Sequence, residues 1–257
     1  MNDLANYWWR LLGTAFAFAA LGLGGPLIAV ILLPILLLLR HNLQQRNQLF
    51  QSVIHYSFGF YIAMLQWMRL LTLNVDNKNY LHRLRGTLIV ATHPTLLDVV
   101  ILIALIPKMQ CIVKGKLWRN PFLYPMVSGA GYIRNDLAPE EIVSQCVTQL
   151  HSGNNLLIFP QGTRSSPTRP LPLKRGFAII ALEAQAPVQL IKITCDPMTL
   201  TKETAWYSIP SRPPVFYIQV GEHLDADSFD HQPVRSLAIR SLTAQVAASF
   251  GIAKANE

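Results

Sequence analysis

Two short motifs carry most of the chemistry in this chain: His93-Pro94-Thr95-Leu96-Leu97-Asp98 and Phe159-Pro160-Gln161-Gly162-Thr163-Arg164. The first puts an imidazole and a carboxylate where an apolar strand gives way to a helix. A carboxylate on one ring nitrogen fixes the tautomer and raises the basicity of the other, which can then take a proton from an alcohol. The second puts a glycine, a hydroxyl and a guanidinium just after another apolar strand. Glycine lets a backbone approach a ligand closely. Thr163 and Arg164 can donate to phosphate oxygens, the arginine in bidentate fashion. A base with an orienting acid beside a cationic, phosphate-sized pocket suits acyl transfer onto a phosphorylated alcohol. Each motif also has an everyday reading. Thr95 and Asp98 form a capping-box-like pair, His93 alone reads as a structural histidine, and residues 162–164 alone read as an ordinary turn with an exposed arginine.

The basic set extends further. Gly131-Tyr132-Ile133-Arg134 adds an arginine at another strand end, and Lys114, Lys116, Lys174 and Arg175 are further candidates. Taken singly, each of these also fits a solvated surface charge. No Gly-x-Ser-x-Gly elbow, P-loop or GxGxxG occurs, which argues against a serine hydrolase or a nucleotide-binding loop. The histidines lack metal-ligand partners at regular spacing, so no metal is expected.

The elements that must position these residues follow an α/β order from residue 87 onward. Strands are predicted at Thr87–Ala91, Gln110–Val113, Gly131–Ile133, Leu156–Phe159, Val188–Thr194 and Val215–Val220. Helices are predicted at Leu96–Ile106, Asn120–Val127, Pro139–His151, Gly176–Gln185 and from about Pro233 to Phe250, with a Pro-rich loop over Gln161–Leu173. Strands alternating with helices imply a mixed or parallel sheet covered by helices on both faces. His93 then falls at the C-terminal end of a strand, where open α/β sheets place ligands.

The rest of the chain points to a lipid environment. Of 257 residues, 51% are hydrophobic and 14% charged, too apolar a balance for an ordinary soluble domain. From Leu11 to Leu39 there is no charged residue, a run long enough to cross a bilayer. Tyr7, Trp8 and Trp9 stand before it like an aromatic belt and Arg40 closes it. A signal peptide is the rival reading, but the more hydrophobic half, Ile28–Leu39, follows the small residues Ala15–Ala20 rather than preceding them. Gly24-Gly25-Pro26 and Pro34 leave open two half-helices dipping into one leaflet. Arg40 and Arg46 after the run, against Arg10 before it, favour a C-terminal body on the cytoplasmic side of an inner membrane. Asn47–Leu73 reads as a second amphipathic or membrane-lying helix, or equally as core. The chain therefore divides into an N-terminal membrane-embedded helical segment (1–73) and a domain over 74–257.

The net charge is +8, and between Lys114 and Arg175 there are eight basic and three acidic residues. With an anchor present, an anionic membrane surface or a phosphate substrate is the better partner, and no nucleic-acid motif appears. The cysteines Cys111, Cys146 and Cys195 are scattered and odd in number, which suits buried thiols in a reducing compartment.

These blocks resemble the bacterial 1-acyl-glycerol-3-phosphate acyltransferase (lysophospholipid acyltransferase) family over roughly residues 87 to 195. The matching stretches, in the family's order, are His93–Asp98, the stretch Lys114–Arg134 with Asn120-Pro121, Phe159–Arg164 and Ala186-Pro187-Val188. The resemblance implies His93 as general base, Asp98 as its orienting partner, and Arg134, Gln161, Gly162, Thr163 and Arg164 around the acceptor. Gln161 stands where the family has glutamate, keeping length and hydrogen bonding but losing charge. The implied reaction takes an acyl group from acyl-CoA or acyl carrier protein, needs no other cofactor, and is direct, since no activated Cys or Ser sits in a motif. The oxyanion is expected to meet backbone N–H groups near the start of the Leu96 helix or a nearby cation. Two other readings remain: the same chemistry on a lyso-ornithine lipid or a specialised lipid or polyene head group, and an inactive lipid-binding homologue.

Overall fold

A computed structural model describes the backbone of residues 3–38, 42–164, 171–229, 232 and 234–252. Leu39 and Arg40, the 165–170 part of the Pro-rich loop and Pro233 lie outside the described residues. The chain runs α1 (Asp3–Leu38), α2 (Leu43–Trp67), β1 (Thr72–Val75), α3 (Lys78–Arg83), β2 (Leu88–Ala91), α4 (Asp98–Leu105), β3 (Met109–Val113), α5 (Gly115–Trp118), α6 (Tyr124–Gly129), β4 (Ile133–Arg134), α7 (Pro139–His151), β5 (Asn155–Ile158), α8 (Gly176–Ala184), β6 (Val188–Asp196), β7 (Val215–Leu224) and α9 (Arg235–Ser249).

The seven strands form one mixed sheet in the order β1-β7-β6-β2-β5-β3-β4. Strands β6, β2, β5, β3 and β4 are mutually parallel, β7 runs antiparallel to β6, and β1 runs parallel to β7. Side chains alternate across a strand, and β2 divides its residues accordingly. Ile89 and Ala91 join a core with α2 and α4, whereas Leu88 and Val90 join a second core with α7, α8 and α9. All four residues of β2 are therefore buried, as a parallel strand covered on both faces requires.

The first helix is continuous through Gly24–Pro26, so the two-half-helix arrangement is not seen. Residues Leu4–Ile31 are long and apolar enough to cross a membrane. Yet one side of the helix lies against the domain: Arg10, Gly13, Ala17 and Ala29 form a buried stripe, spanning about 28 Å at 1.5 Å per residue. Trp9 Nε1 donates to Met68 O at 3.0 Å and Tyr61 Oη to Ala17 O at 3.3 Å. The opposite side exposes Trp8, Leu12, Phe16, Leu23, Leu27 and Val30. Helix α2 packs into the core, as one of its two expected readings has it. It buries Phe50, Ile54, Tyr61 and Leu65, and His55 Nδ1 donates to Ile103 O at 2.7 Å, while Tyr56, Phe60 and Trp67 stay exposed.

Two differences from the expected elements have plain causes. The predicted helix over Asn47–Leu73 ends at Trp67, and the chain turns through Arg69 at φ 56° into β1. The expected Asn120–Val127 helix starts later, as α6 (Tyr124–Gly129), and a separate short helix, α5 (Gly115–Trp118), precedes it. Pro125 near the start of α6 and Pro121 in the linking turn bring no N–H for a continuous ladder.

Candidate active site

The parallel strands β2, β5, β3 and β4 end on one edge of the sheet. The turns that follow them carry His93, residues 159–164, Lys114 with Lys116, and Arg134. The topology thus gathers the sequence-predicted residues at the edge where such sheets hold ligands, at graded distances from the imidazole.

The turn after β2 is held by its own side chains. Thr92 Oγ1 accepts from Ile193 N at 2.7 Å, fixing the strand end to β6. Asp98, wholly buried at the first residue of α4, accepts from His93 Nδ1 (2.8 Å), from Thr95 N (2.7 Å) and from Thr95 Oγ1 (2.6 Å). Thr95 Oγ1 in turn accepts from Leu97 N at 3.2 Å. Helix capping and imidazole orientation are therefore one network rather than alternatives. With Nδ1 donating to the carboxylate, Nε2 is left as the acceptor. The His93 side chain is 16% exposed. Its ring stacks on Phe159 of the adjacent β5 turn at 4.1 Å and 19°, which holds the imidazole plane at the mouth of the site. That stacking partner was not foreseen, although β2–β5 adjacency makes it natural.

The second motif turns as expected. Gly162 N donates to Phe159 O at 2.9 Å, and Gly162 has φ +72°. A Cβ there would meet Lys174 Nζ at 2.9 Å, so the glycine lets a lysine lie over the turn. Gln161 is buried beside it. Arg164 reaches across the edge: its Nη1 donates to Leu200 O (2.9 Å) and Thr201 O (2.8 Å). Leu200 O also accepts from Leu96 N at 3.0 Å, so Arg164 sits beside the His93–Asp98 turn. Its Nε and Nη2 have no partner among the described residues, leaving one forked edge for a ligand.

Arg134 is placed differently. β4 lies three strands from β2, about 14 Å at 4.8 Å per strand. Its forked edge is already taken, with Nε and Nη2 donating to the two oxygens of Asp136, both at 2.9 Å. This pairing holds the Asp136 carboxyl below its ordinary range and raises Arg134, the side-chain hydrogen bond being the first cause in both. The carboxylate packs over Gly115, whose added Cβ would lie 2.2 Å from Asp136 Oδ2. Gly115 and Asp136 were missed by sequence reasoning, since the turn after β4, not a strand face, brings Asp136 back onto Arg134. Lys114, Lys116 and Arg175 are exposed at the same edge. The two lysines make no ion pair among the described residues.

The amides expected for an oxyanion are largely committed. Thr95 N, Leu96 N and Leu97 N already donate to Asp98, Leu200 O and Thr95 Oγ1. The reason is local, since the turn uses its own side chains and the 197–214 loop to satisfy its backbone. The first-turn amides of α4, at Asp98, Val99 and Val100, and a nearby cation are what remain for that role. The cysteines are buried and free. Burial pushes the thiols of Cys111, Cys146 and Cys195 up to about 12, so none offers a thiolate near neutrality.

An apolar cleft adjoins the His93 turn. Leu96 and Leu97 form its wall on that side, Ala17 and Leu21 of α1 and Tyr61 of α2 cover it, and Leu200 and Pro210 of the 197–214 loop close it.

A family model described as Acyltransferase matches residues 72–194, which include both motifs. A 1-acyl-sn-glycerol-3-phosphate acyltransferase of Cocos nucifera is 27% identical over 180 residues, covering 66% of this chain and 56% of that protein. One from Helicobacter pylori is 34% identical over 108 residues, covering 40% and 46%. The chain spans about half the length of the curated relatives it matches. The crystal structure of a 1-acyl-sn-glycerophosphate acyltransferase from Thermotoga maritima shares the fold, with a TM-score of 0.68 at 18% identity over 93% of this chain and 95% of that one. Residues 72–194 thus match the acyltransferase model, and the chain is similar to 1-acyl-sn-glycerol-3-phosphate acyltransferases.

Proposed function

We propose that this protein transfers a fatty acyl group from an acyl thioester, acyl-CoA or acyl carrier protein, to the hydroxyl of a lysophospholipid such as 1-acyl-glycerol-3-phosphate. The observation that carries the reading is the His93–Asp98 pair, with Nε2 left as an acceptor at the mouth of the site. Nε2 takes the proton of the acceptor hydroxyl, and that oxygen attacks the thioester carbonyl. The tetrahedral oxyanion is met by a cation, with the open edge of Arg164 and the Lys174 ammonium as the nearest candidates on this edge. Collapse breaks the C–S bond, and the leaving thiolate takes the proton from the imidazolium. No covalent acyl-enzyme or prosthetic group enters this sequence. The acyl chain occupies the apolar cleft beside Leu96 and Leu97. A head-group phosphate takes the forked edge of Arg164.

The long buried stripe on α1 supports a helix lying in the plane of the bilayer, with its Trp8–Val30 side in lipid. This puts the acceptor within reach at the cytoplasmic face of an inner membrane. A second reading of the acceptor is favoured by two observations. Gln161 brings no charge, and Asp136 neutralises Arg134, so the pocket also suits a less anionic head group such as a lyso-ornithine lipid. Mass spectrometry of lipids formed by the purified protein, offered a panel of lyso-acceptors with both thioester types, tests the reading and separates the two acceptors. Transfer to none of them, with folded protein, overturns it.

A further inference from the structure

The cleft that we read as the acyl seat has a cation in its wall. Arg10 of α1 lines it and is only 6% exposed. The guanidinium donates from Nη1 to Pro210 O (2.5 Å), from Nη2 to Ser211 O (3.2 Å) and from Nε to Asn6 O (3.4 Å). All three acceptors are neutral carbonyls. Among the described residues no carboxylate pairs with it, and two of its five N–H bonds have no acceptor. Burying a guanidinium without a counter-charge is unfavourable. A chain of Met or Leu would close an apolar wall at lower cost, so the arginine calls for a ligand that meets it.

The geometry places this cation away from the reacting carbonyl. At the catalytic end, Leu200 O accepts from Leu96 N in the His93 turn. At the other end, Pro210 O accepts from Arg10, and the loop then enters β7 beside β1, where Thr72 N donates to Pro214 O. Between β2 and the β7–β1 pair lie two to three strand spacings, about 10–14 Å. Besides Arg10, the cleft is lined by apolar side chains with Thr14, Tyr61, Thr199 and Trp206 as its polar members. An acyl chain with its thioester at His93 and its far end at Arg10 fits this layout.

We propose that Arg10 receives the distal end of the acyl chain, and that the enzyme selects acyl thioesters bearing a hydrogen-bond-accepting oxygen there, a hydroxyl or a carboxylate. This rests on the reading of the protein as an acyltransferase and of the cleft as its acyl seat. The test uses the full-length protein in lipid nanodiscs with lysophosphatidic acid as acceptor. The donors are CoA thioesters of dodecanoic acid, 12-hydroxydodecanoic acid and dodecanedioic acid, with hexanoic and 6-hydroxyhexanoic acid as chains too short to reach Arg10. The proposal expects kcat/KM at least tenfold higher for an oxygen-tipped twelve-carbon donor than for the plain one, and no preference at six carbons. A carboxylate favoured over a hydroxyl means that the ligand supplies the missing counter-charge, and a hydroxyl favoured means that it supplies the acceptor alone; either supports the proposal. Arg10→Met should abolish the twelve-carbon ratio and Arg10→Lys should keep part of it. Because Arg10 also holds the 210–211 backbone, the wild-type length series decides the matter if the variants do not fold. Equal ratios at both lengths, or a ratio unmoved in Arg10→Met, overturn the role of Arg10 while leaving the acyltransferase reading intact. Transfer from no donor at all overturns both.

Discussion

Replacing Asp98 with Asn isolates what its charge does, because the surrounding bonds dictate how the amide sits. Oδ2 faces two donors, His93 Nδ1 and Thr95 N, whereas Oδ1 faces only the Thr95 hydroxyl. An asparagine will therefore put its oxygen at the Oδ2 position and its NH₂ toward Thr95 Oγ1, which can rotate to accept. The His93 tautomer survives and only the charge is lost. One charged hydrogen bond contributes about 1.5–3 kcal/mol. Two full charges 2.8 Å apart attract by about 6 kcal/mol at an effective dielectric of about 20. At about 1.4 kcal/mol per decade, acyl transfer should fall by about 10- to 10⁴-fold. Single-turnover transfer followed by lipid mass spectrometry measures it. The same substitution in a His93→Ala background should cost almost nothing further, because the carboxylate acts through the imidazole. Melting temperature should change little and by the same amount in both backgrounds, since the asparagine keeps its bonds to Thr95 N and Thr95 Oγ1. A rate within threefold of wild type, or an equal rate loss in both backgrounds, would refute a role for Asp98 beyond the fold.

Three further outcomes follow from the site. Arg164→Lys should keep one donor for Leu200 O but lose the fork, raising KM for a phosphorylated acceptor about ten- to a hundredfold with the donor KM unchanged, whereas Arg164→Ala should disturb both because Leu200 also walls the cleft. Gly115→Ala drives a methyl group into the Asp136 carboxylate and should cost about 1–3 kcal/mol in a thermal or denaturant melt, with Asp136→Ala restoring most of it. The native thiols of Cys111, Cys146 and Cys195 should resist iodoacetamide at pH 8 with activity retained. Because folding raises them from 9.0 to about 12, the unfolded chain ionises first, so their contribution to stability is full below pH 9 and declines as pH climbs toward 12. Alkaline melts would show that decline.

What was legible in the sequence is what short-range chemistry determines. Leu88–Ala91 and Leu156–Ile158 read as strands because both faces of the sheet are covered and every residue can be apolar. His93 and Asp98 were legible because five residues of turn bring them together without help from elsewhere. β1 was not: Thr72-Leu73-Asn74-Val75 is half exposed, and its pairing comes from β7, far along the chain. Nor were the partners of Arg164, since Leu200 and Thr201 come from the loop between β6 and β7.

That last contact changes the electrostatic argument. Sequence reasoning offers the start of the Leu96 helix as an oxyanion site, but Thr95, Leu96 and Leu97 have spent their N–H groups in shaping the turn that orients His93. A buried amide cannot hold the turn and also meet a charge that exists only in the transition state. Arg164, whose Nη1 donates to Leu200 O beside the same turn, is the cation we propose for that role. On this reading Arg164 joins the acceptor head group, the wall of the acyl cleft and the reacting carbonyl through a single side chain, and its substitution by lysine separates the first of these from the second.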